Sequence, residues 1–202
     1  MIPPTRNITG LHWALDTNII GNPELLELTK MFELGWIYLE TPDTVQFELS
    51  RAKDEFARER LLEERSGFPM PFGPTVLNHS QIGFSVNGSA QDEERLHNVH
   101  LIIWKSHSFQ EDALVAEKNA KARNRVRDTM IVSTSIRYNL NTLVSLDEGL
   151  LDASARLSEK FGIRVISLSS AKSEAFRAVS KAREKAAVMR DSVWYKDLPN
   201  WP

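Results

Sequence analysis

Four acids, Asp16, Glu48, Asp128 and Asp147, sit where carboxylates can do chemistry. Asp16 follows the apolar run at 11–15, and Asp147 follows the one at 142–146. Asp128 has Ile131, Val132 and Ser135 at i+3, i+4 and i+7, so it points along the buried face of its helix. Glu48 borders the stripe Val45, Leu49, Ala52 and Phe56. Each has an ordinary explanation: a turn acid at Asp16 and Asp147, a dipole-favoured acid opening a helix at Asp128, a pair with Arg51 at i+3 for Glu48. Together they share one property. In a βα unit the strand end and the next helix start lie on the same sheet edge, where ligands bind. Carboxylates converging there repel unless cations lie between them. An all-oxygen set suits Mg²⁺ or Mn²⁺, and such ions can activate water and stabilise the leaving oxygen of a phosphodiester.

The elements that must position these acids are short strands alternating with helices. Strands are predicted at 11–15, 36–39, 142–146 and 163–168. A helix opened by Asn22-Pro23 is stopped by Gly35, and one capped by Thr41 with Pro42 at its first position runs to about Arg65. Helices follow from Ala90 to about Lys105 and from Phe109, capped by Ser108 with Glu111 in a capping box, to about Ala122. Another runs from Asp128 to about Tyr138, a short one covers 150–160, and a last one, capped by Ser169-Ser170, runs from Ala171 to about Arg190. The stretch at 66–90, crowded with glycine and proline, reads as an inserted loop or small hairpin with β-prone pieces at 75–77 and 82–86. This alternation predicts one α/β domain: three layers, α/β/α, around a mostly parallel sheet of about four to five strands. The insertion at 66–90 and a C-terminal helix and tail at 170–202 add to it.

Several of these motifs resemble those of the PIN-domain nucleases. Leu15-Asp16-Thr17-Asn18 is similar to that family's opening motif. Glu48 matches its second acid, Arg127-Asp128-Thr129-Met130-Ile131 its third, and Leu143-Val144-Ser145-Leu146-Asp147 its last strand-end motif. The likeness spans residues 11–168. It implies a PIN-like fold and metal-dependent cleavage of single-stranded RNA by a metal-activated water, with Asp16, Glu48, Asp128 and Asp147 as ligands of Mg²⁺ or Mn²⁺. It also implies that Thr17 or Asn18 orients Asp16 through hydrogen bonds and that Ser145 does similar work near Asp147. A small single-domain member is commonly the toxin of a toxin–antitoxin pair, so an antitoxin or a second copy of the chain are the expected protein partners. The insertion and the C-terminal extension depart from compact members.

Lys118, Lys121, Arg123, Arg125 and Arg127 run directly into Asp128. Arg125 and Arg127 are expected to contact RNA phosphates and the others to be a solvated helix end. Glu93, His97 and His100 share helical spacing but read as a polar face rather than a metal site, and His79 and His107 receive no role. Trp194, Tyr195 and Trp201 are expected to cap the core rather than stack on bases.

Composition is that of a globular domain: 202 residues, 42% hydrophobic, 26% charged, net charge −2. The absence of cysteine excludes disulfide scaffolds, zinc ribbons and thiol nucleophiles. With no signal-peptide pattern and no apolar run near ~20 residues, the expectation is a soluble cytoplasmic protein without a membrane partner. Two other functions compete. Another metal-assisted phosphoesterase is weakened by Asn18 where a haloacid-dehalogenase site needs its second Asp, and by the lack of a receiver-type lysine in Leu168-Ser169-Ser170. A catalytically inactive PIN-like module binding RNA or protein would be expected to have lost an acid, and all four are present.

Overall fold

The computed structural model describes residues 6–76, 79–80, 85–189 and 198–201. Four strands, β1 (His12–Leu15), β2 (Tyr38–Glu40), β3 (Thr142–Val144) and β4 (Arg164–Ile166), form one sheet in the order β2-β1-β3-β4 with every pair parallel. Parallel strands need crossovers. Helix α1 (Leu25–Glu33) connects β1 to β2, and α7 (Glu148–Phe161) connects β3 to β4. These crossovers leave the sheet centre in opposite directions, so the usual right-handed connection puts α1 and α7 on opposite faces. The remaining helices are α2 (Asp43–Leu49), α3 (Glu55–Ser66), α4 (Ala90–Trp104), α5 (Phe109–Val115), α6 (Ala120–Arg137) and α8 (Leu168–Val188). Helix α8 packs on α1, while α4 packs on α6 and α7, completing an α/β/α sandwich. Between the layers lie Trp13, Leu15, Phe32, Trp36, Leu39, Ile131, Leu143 and Val165, all buried. Among the described residues no helix is long and apolar enough to cross a membrane.

Several boundaries differ from those predicted, each for a local reason. The helix expected from Pro42 to Arg65 is two. Pro42 is the cap residue of α2, Ser50 ends that helix by donating to the Phe47 carbonyl, and Asp54 starts α3 by accepting from the Ala57 N–H. The predicted stripe breaks with it: Val45 and Leu49 are buried, but Phe56 is 86% exposed. Helix α5 stops at Val115, and α6 begins at Ala120, where Asn119 accepts from the N–H groups of Lys121 and Ala122. Asp128 therefore lies mid-helix and does not open one. Ser167, rather than Ser169-Ser170, caps α8 by accepting from the Ser170 N–H.

The described part of 66–90 is a loop, part of it stitched to the body. Pro69 and Pro71 carbonyls accept from the N–H groups of Thr41 and Asp43, and Phe68 enters the core. Pro74 and Val86 form a single parallel bridge, not the antiparallel pairing of a hairpin. Leu77 and residues 82–84 of the β-prone pieces lie outside the described residues, as do 78, 81, Trp194 and Tyr195. Trp201 meets Phe176, and the Arg183 guanidinium lies 5.1 Å from the ring centres of both Trp201 and Trp36.

Candidate functional site

The central strands β1 and β3 pair in register, Leu15 opposite Val144. The chain turns toward β2 from one of them and toward β4 from the other, so the gap beyond their C-terminal ends is the sheet's switch point. Asp16 and Ser145 leave the two strands there side by side. Asp16 is 2% exposed. Its Oδ2 accepts from the Ser145 hydroxyl at 2.6 Å and its Oδ1 from the Thr17 N–H at 2.7 Å. The Thr17 hydroxyl donates to Glu48 Oε2, tying the strand-end acid to the acid of α2. Ser145 Oγ also accepts from the Asp147 N–H at 2.9 Å. Asp147 then caps α7, its Oδ1 accepting from the Leu150 N–H.

Thr17 thus joins Asp16 to Glu48, and Ser145 joins Asp16 to the Asp147 backbone. Asn18 does not touch Asp16. It donates to Ser145 Oγ at 3.3 Å and accepts from the Leu146 N–H at 3.0 Å, bracing the turn before Asp147. Glu48 does not pair with Arg51 but with Arg127, Nη1 to Oε1 at 3.1 Å. It lies at the end of α2 rather than near a helix start.

Asp128 lies within the field of the other three acids. Burial first, then the charges of Asp16, Glu48 and Asp147, hold its carboxyl well above the usual carboxylate range, against the opposing charge of Arg127. Among the described residues its carboxylate makes no hydrogen bond, and it shares with Asp147 the wall of an open cavity of about 490 Å³. Trp104, His107, Lys121 and Arg125 line the same cavity. Burial, chiefly, pushes the Asp16 carboxyl up to about 7; Glu48 and Asp147 add to this and the Ser145 hydrogen bond opposes it.

This set answers a hard divalent cation in donor type and in charge: four carboxylates, with Asp128 and Asp147 on the cavity wall. They are not drawn into a cage. Among the described residues no three His, Asp or Glu side chains stand together as a ready metal-binding group, and one positive charge in the group is already supplied by Arg127.

The two arginines expected on RNA are engaged within the protein. Arg125 forms a two-pronged pair with Asp112, Nε to Oδ2 at 2.6 Å and Nη2 to Oδ1 at 2.5 Å. Burial alone would raise the Asp112 carboxyl, but the Arg125 hydrogen bonds and charge hold it below the usual range. His100, expected on a polar face, is fully buried and bridges Thr129 and Asp112 at 2.9 and 3.0 Å. Burial lowers its pKa to about 4 despite the neighbouring acid. This network joins α4, α5 and α6 immediately beside Asp128. Arg125→Ala is therefore expected to cost roughly 3 kcal/mol of stability, the low end for breaking a buried pair, measured by urea unfolding. Unchanged stability with weakened RNA binding would instead make Arg125 a phosphate contact.

Sequence reasoning overlooked three groups here: the buried pair of His100 and Asp112, Asp43, and His79. Asp43 is 5% exposed, and its carboxyl is pushed up to about 6 by burial against three backbone hydrogen bonds and the Arg65 charge. His79 is 2% exposed. The signal was thin, because a lone acid or histidine far in sequence from its partner carries no spacing pattern. No family model matches this chain, and no curated protein matches it.

Proposed function

We propose that the protein is a PIN-like, Mg²⁺- or Mn²⁺-dependent endoribonuclease that hydrolyses phosphodiester bonds of single-stranded RNA. The observation that carries the reading is that Thr17 and Ser145 link Asp16 to Glu48 and to the Asp147 backbone beyond the β1–β3 switch point, with Asp128 under the charge of these three acids. Asp16, Glu48, Asp128 and Asp147 would hold the cation. When bound, it supplies an activated water and charge for the leaving oxygen. The chain's own residues do the rest. Ser145 and Thr17 fix the oxygens of Asp16, Thr17 couples Asp16 to Glu48, and Arg127 offsets the Glu48 charge. The cavity beside Asp128 and Asp147, with Lys121 and His107 in its wall, gives a polyanion access to the acids.

A second reading, an inactive module of the same fold that binds RNA or protein, has its own observation in the Arg127–Glu48 pair, where an internal cation stands among the acids. One assay separates the two: incubation of a mixed single-stranded RNA pool with Mn²⁺, Mg²⁺ or EDTA, with Asp16→Asn alongside. The nuclease should cleave only with metal and lose cleavage in the variant. Folded wild-type protein that neither cleaves RNA nor binds Mn²⁺ leaves the inactive module standing. Mn²⁺ binding without RNA cleavage points to another phosphoester.

A further inference from the structure

Beside the acids, on the far side of Glu48, lies a second site of opposite charge. Two adjoining cavities share Arg51 and Arg123 in their walls. One, of about 330 Å³, also meets Glu48, Ala52 and Arg127; the other, of about 270 Å³, also meets His79, Ala116 and Glu117. Arg51 lies 4.8 Å from the Phe47 ring centre and Arg127 lies 5.6 Å from it, so one aromatic ring carries two of the guanidinium groups. Neither Arg51 nor Arg123 makes an ion pair among the described residues.

His79, which sequence reasoning left without a role, closes the second cavity. It is 2% exposed, and its Nδ1 is buried with no hydrogen-bond partner among the described residues. The Nε of Arg127 is likewise buried without one. A buried polar atom left unpaired costs stability, and like charges gathered at one place repel. Burial, then the charges of Arg127, Arg123 and Arg51, lowers the His79 pKa to about 4, so all three guanidinium groups act on this one imidazole. The carboxylates on the walls are Glu48, already held by Thr17 and Arg127, and Glu117. Three guanidinium groups face these two acids. What is missing is an anion with several acceptor oxygens, the property of a phosphate.

We propose that Arg51, Arg123 and His79, with Arg127 behind them, form a phosphate pocket that holds the RNA strand beside the four-acid site. Its place next to Glu48 gives it a function distinct from the acids: it fixes the strand's register by a phosphate that is not cleaved. The pocket takes either a backbone phosphate or a 5′-terminal phosphate, which share this chemistry. The inference rests on RNA as the substrate class proposed above but not on metal binding or cleavage.

The test is binding of two fluorescent single-stranded RNAs of one sequence, with a 5′-phosphate or a 5′-hydroxyl, followed by anisotropy in EDTA across a salt series. EDTA prevents metal-dependent cleavage, so the outcome is separate from the fate of the nuclease reading. Arg51→Ala and Arg123→Ala, folded by circular dichroism, are each expected to weaken binding about tenfold and to lower the salt slope by about one phosphate contact. Arg123→Lys should keep the slope, since it keeps the charge. Lys118→Ala removes a charge from the same basic run but not from the pocket walls, and should have a smaller effect. Loss on both RNAs identifies a backbone phosphate, and loss confined to the 5′-phosphorylated RNA identifies the terminal one. Wild-type affinity and slope in both alanine variants overturn the pocket. So does an equal loss from Lys118→Ala, or a wild-type protein that binds neither RNA.

Discussion

Asp128→Asn is expected to lower metal-dependent RNA cleavage by on the order of 10³-fold, the scale of several kcal/mol of lost charge stabilisation, while stabilising the metal-free protein. The two effects have one origin. The Asp128 carboxylate has no hydrogen-bond partner among the described residues, and burial together with Asp16, Glu48 and Asp147 opposes its ionisation. At pH 8, folding without metal requires either ionising it among like charges or keeping a proton from solution. Asparagine keeps the shape and removes the charge, so the cost disappears along with the ligand. Side chains that serve packing behave in the opposite way, losing stability when changed, whereas a functional acid held at a cost gains it. The measurements are cleavage with Mn²⁺ and thermal unfolding in EDTA at pH 8. An asparagine variant that melts lower and still cleaves would remove Asp128 from the site.

The strand-end acids were legible because the signal is local. An apolar run broken by Asp predicts both the buried strand and the acid beyond its end, and the Leu15–Val144 register then sets Asp16 beside Ser145 without further information. Alternation alone made a mostly parallel sheet of about four to five strands legible; the described residues form four, all parallel, in an order the alternation does not give. Less legible was the start of α6. Its first two turns carry Lys121, Arg123, Arg125 and Arg127, and only Ala122 and Val126 mark the buried face, so the apolar pattern looked as if it began at Asp128. The consequence was chemical as well as geometric: an acid in mid-helix receives no help from the helix dipole, which makes its neighbours matter more. Phe56 shows the reverse error, a good stripe position that α3, started anew by Asp54, turns to solvent. The roles of Arg125 and Arg127 depended on contacts no sequence window reveals. Arg127 meets Glu48 from 79 residues away and Arg125 meets Asp112 from 13, and each contact converts an apparent RNA-binding cation into an internal one. Arg51 and Arg123, which make no ion pair among the described residues, read in sequence as a side-chain pair with Glu48 and a solvated helix end.

Stability of the metal-free protein should fall as pH rises from 6.5 to 8, and Mn²⁺ should reverse the fall. The sign follows from which state holds more protons. Asp16, with a folded pKa of about 7 against 3.8, keeps its proton in the folded chain after the unfolded chain has lost it, and Asp128 behaves likewise. Wherever the folded state binds more protons, stability declines with rising pH. Asp43 contributes the same sign, but its loss is largely complete above about 6. His79 and His100 oppose it. Their folded pKa values of about 4 stabilise the protein as pH rises through 6.5, where the unfolded imidazole loses its proton. At pH 6.5 the unfolded imidazoles are still half protonated, so between 6.5 and 8 the two histidines together regain about as much stability as Asp16 loses, about 1 kcal/mol. The net fall, and so the slope over this window, reports Asp128. A cation bound among ionised carboxylates removes their repulsion and favours the folded state. At about 100 times its Kd it contributes ~3 kcal/mol, enough to restore the loss at pH 8. Asp128→Asn should flatten the slope and weaken the Mn²⁺ rescue together, because both depend on the same charge. Melting curves in EDTA that are flat or rising over this window, with no response to Mn²⁺, would mean that the four acids are not held ionised against one another and that Arg127 already satisfies the site.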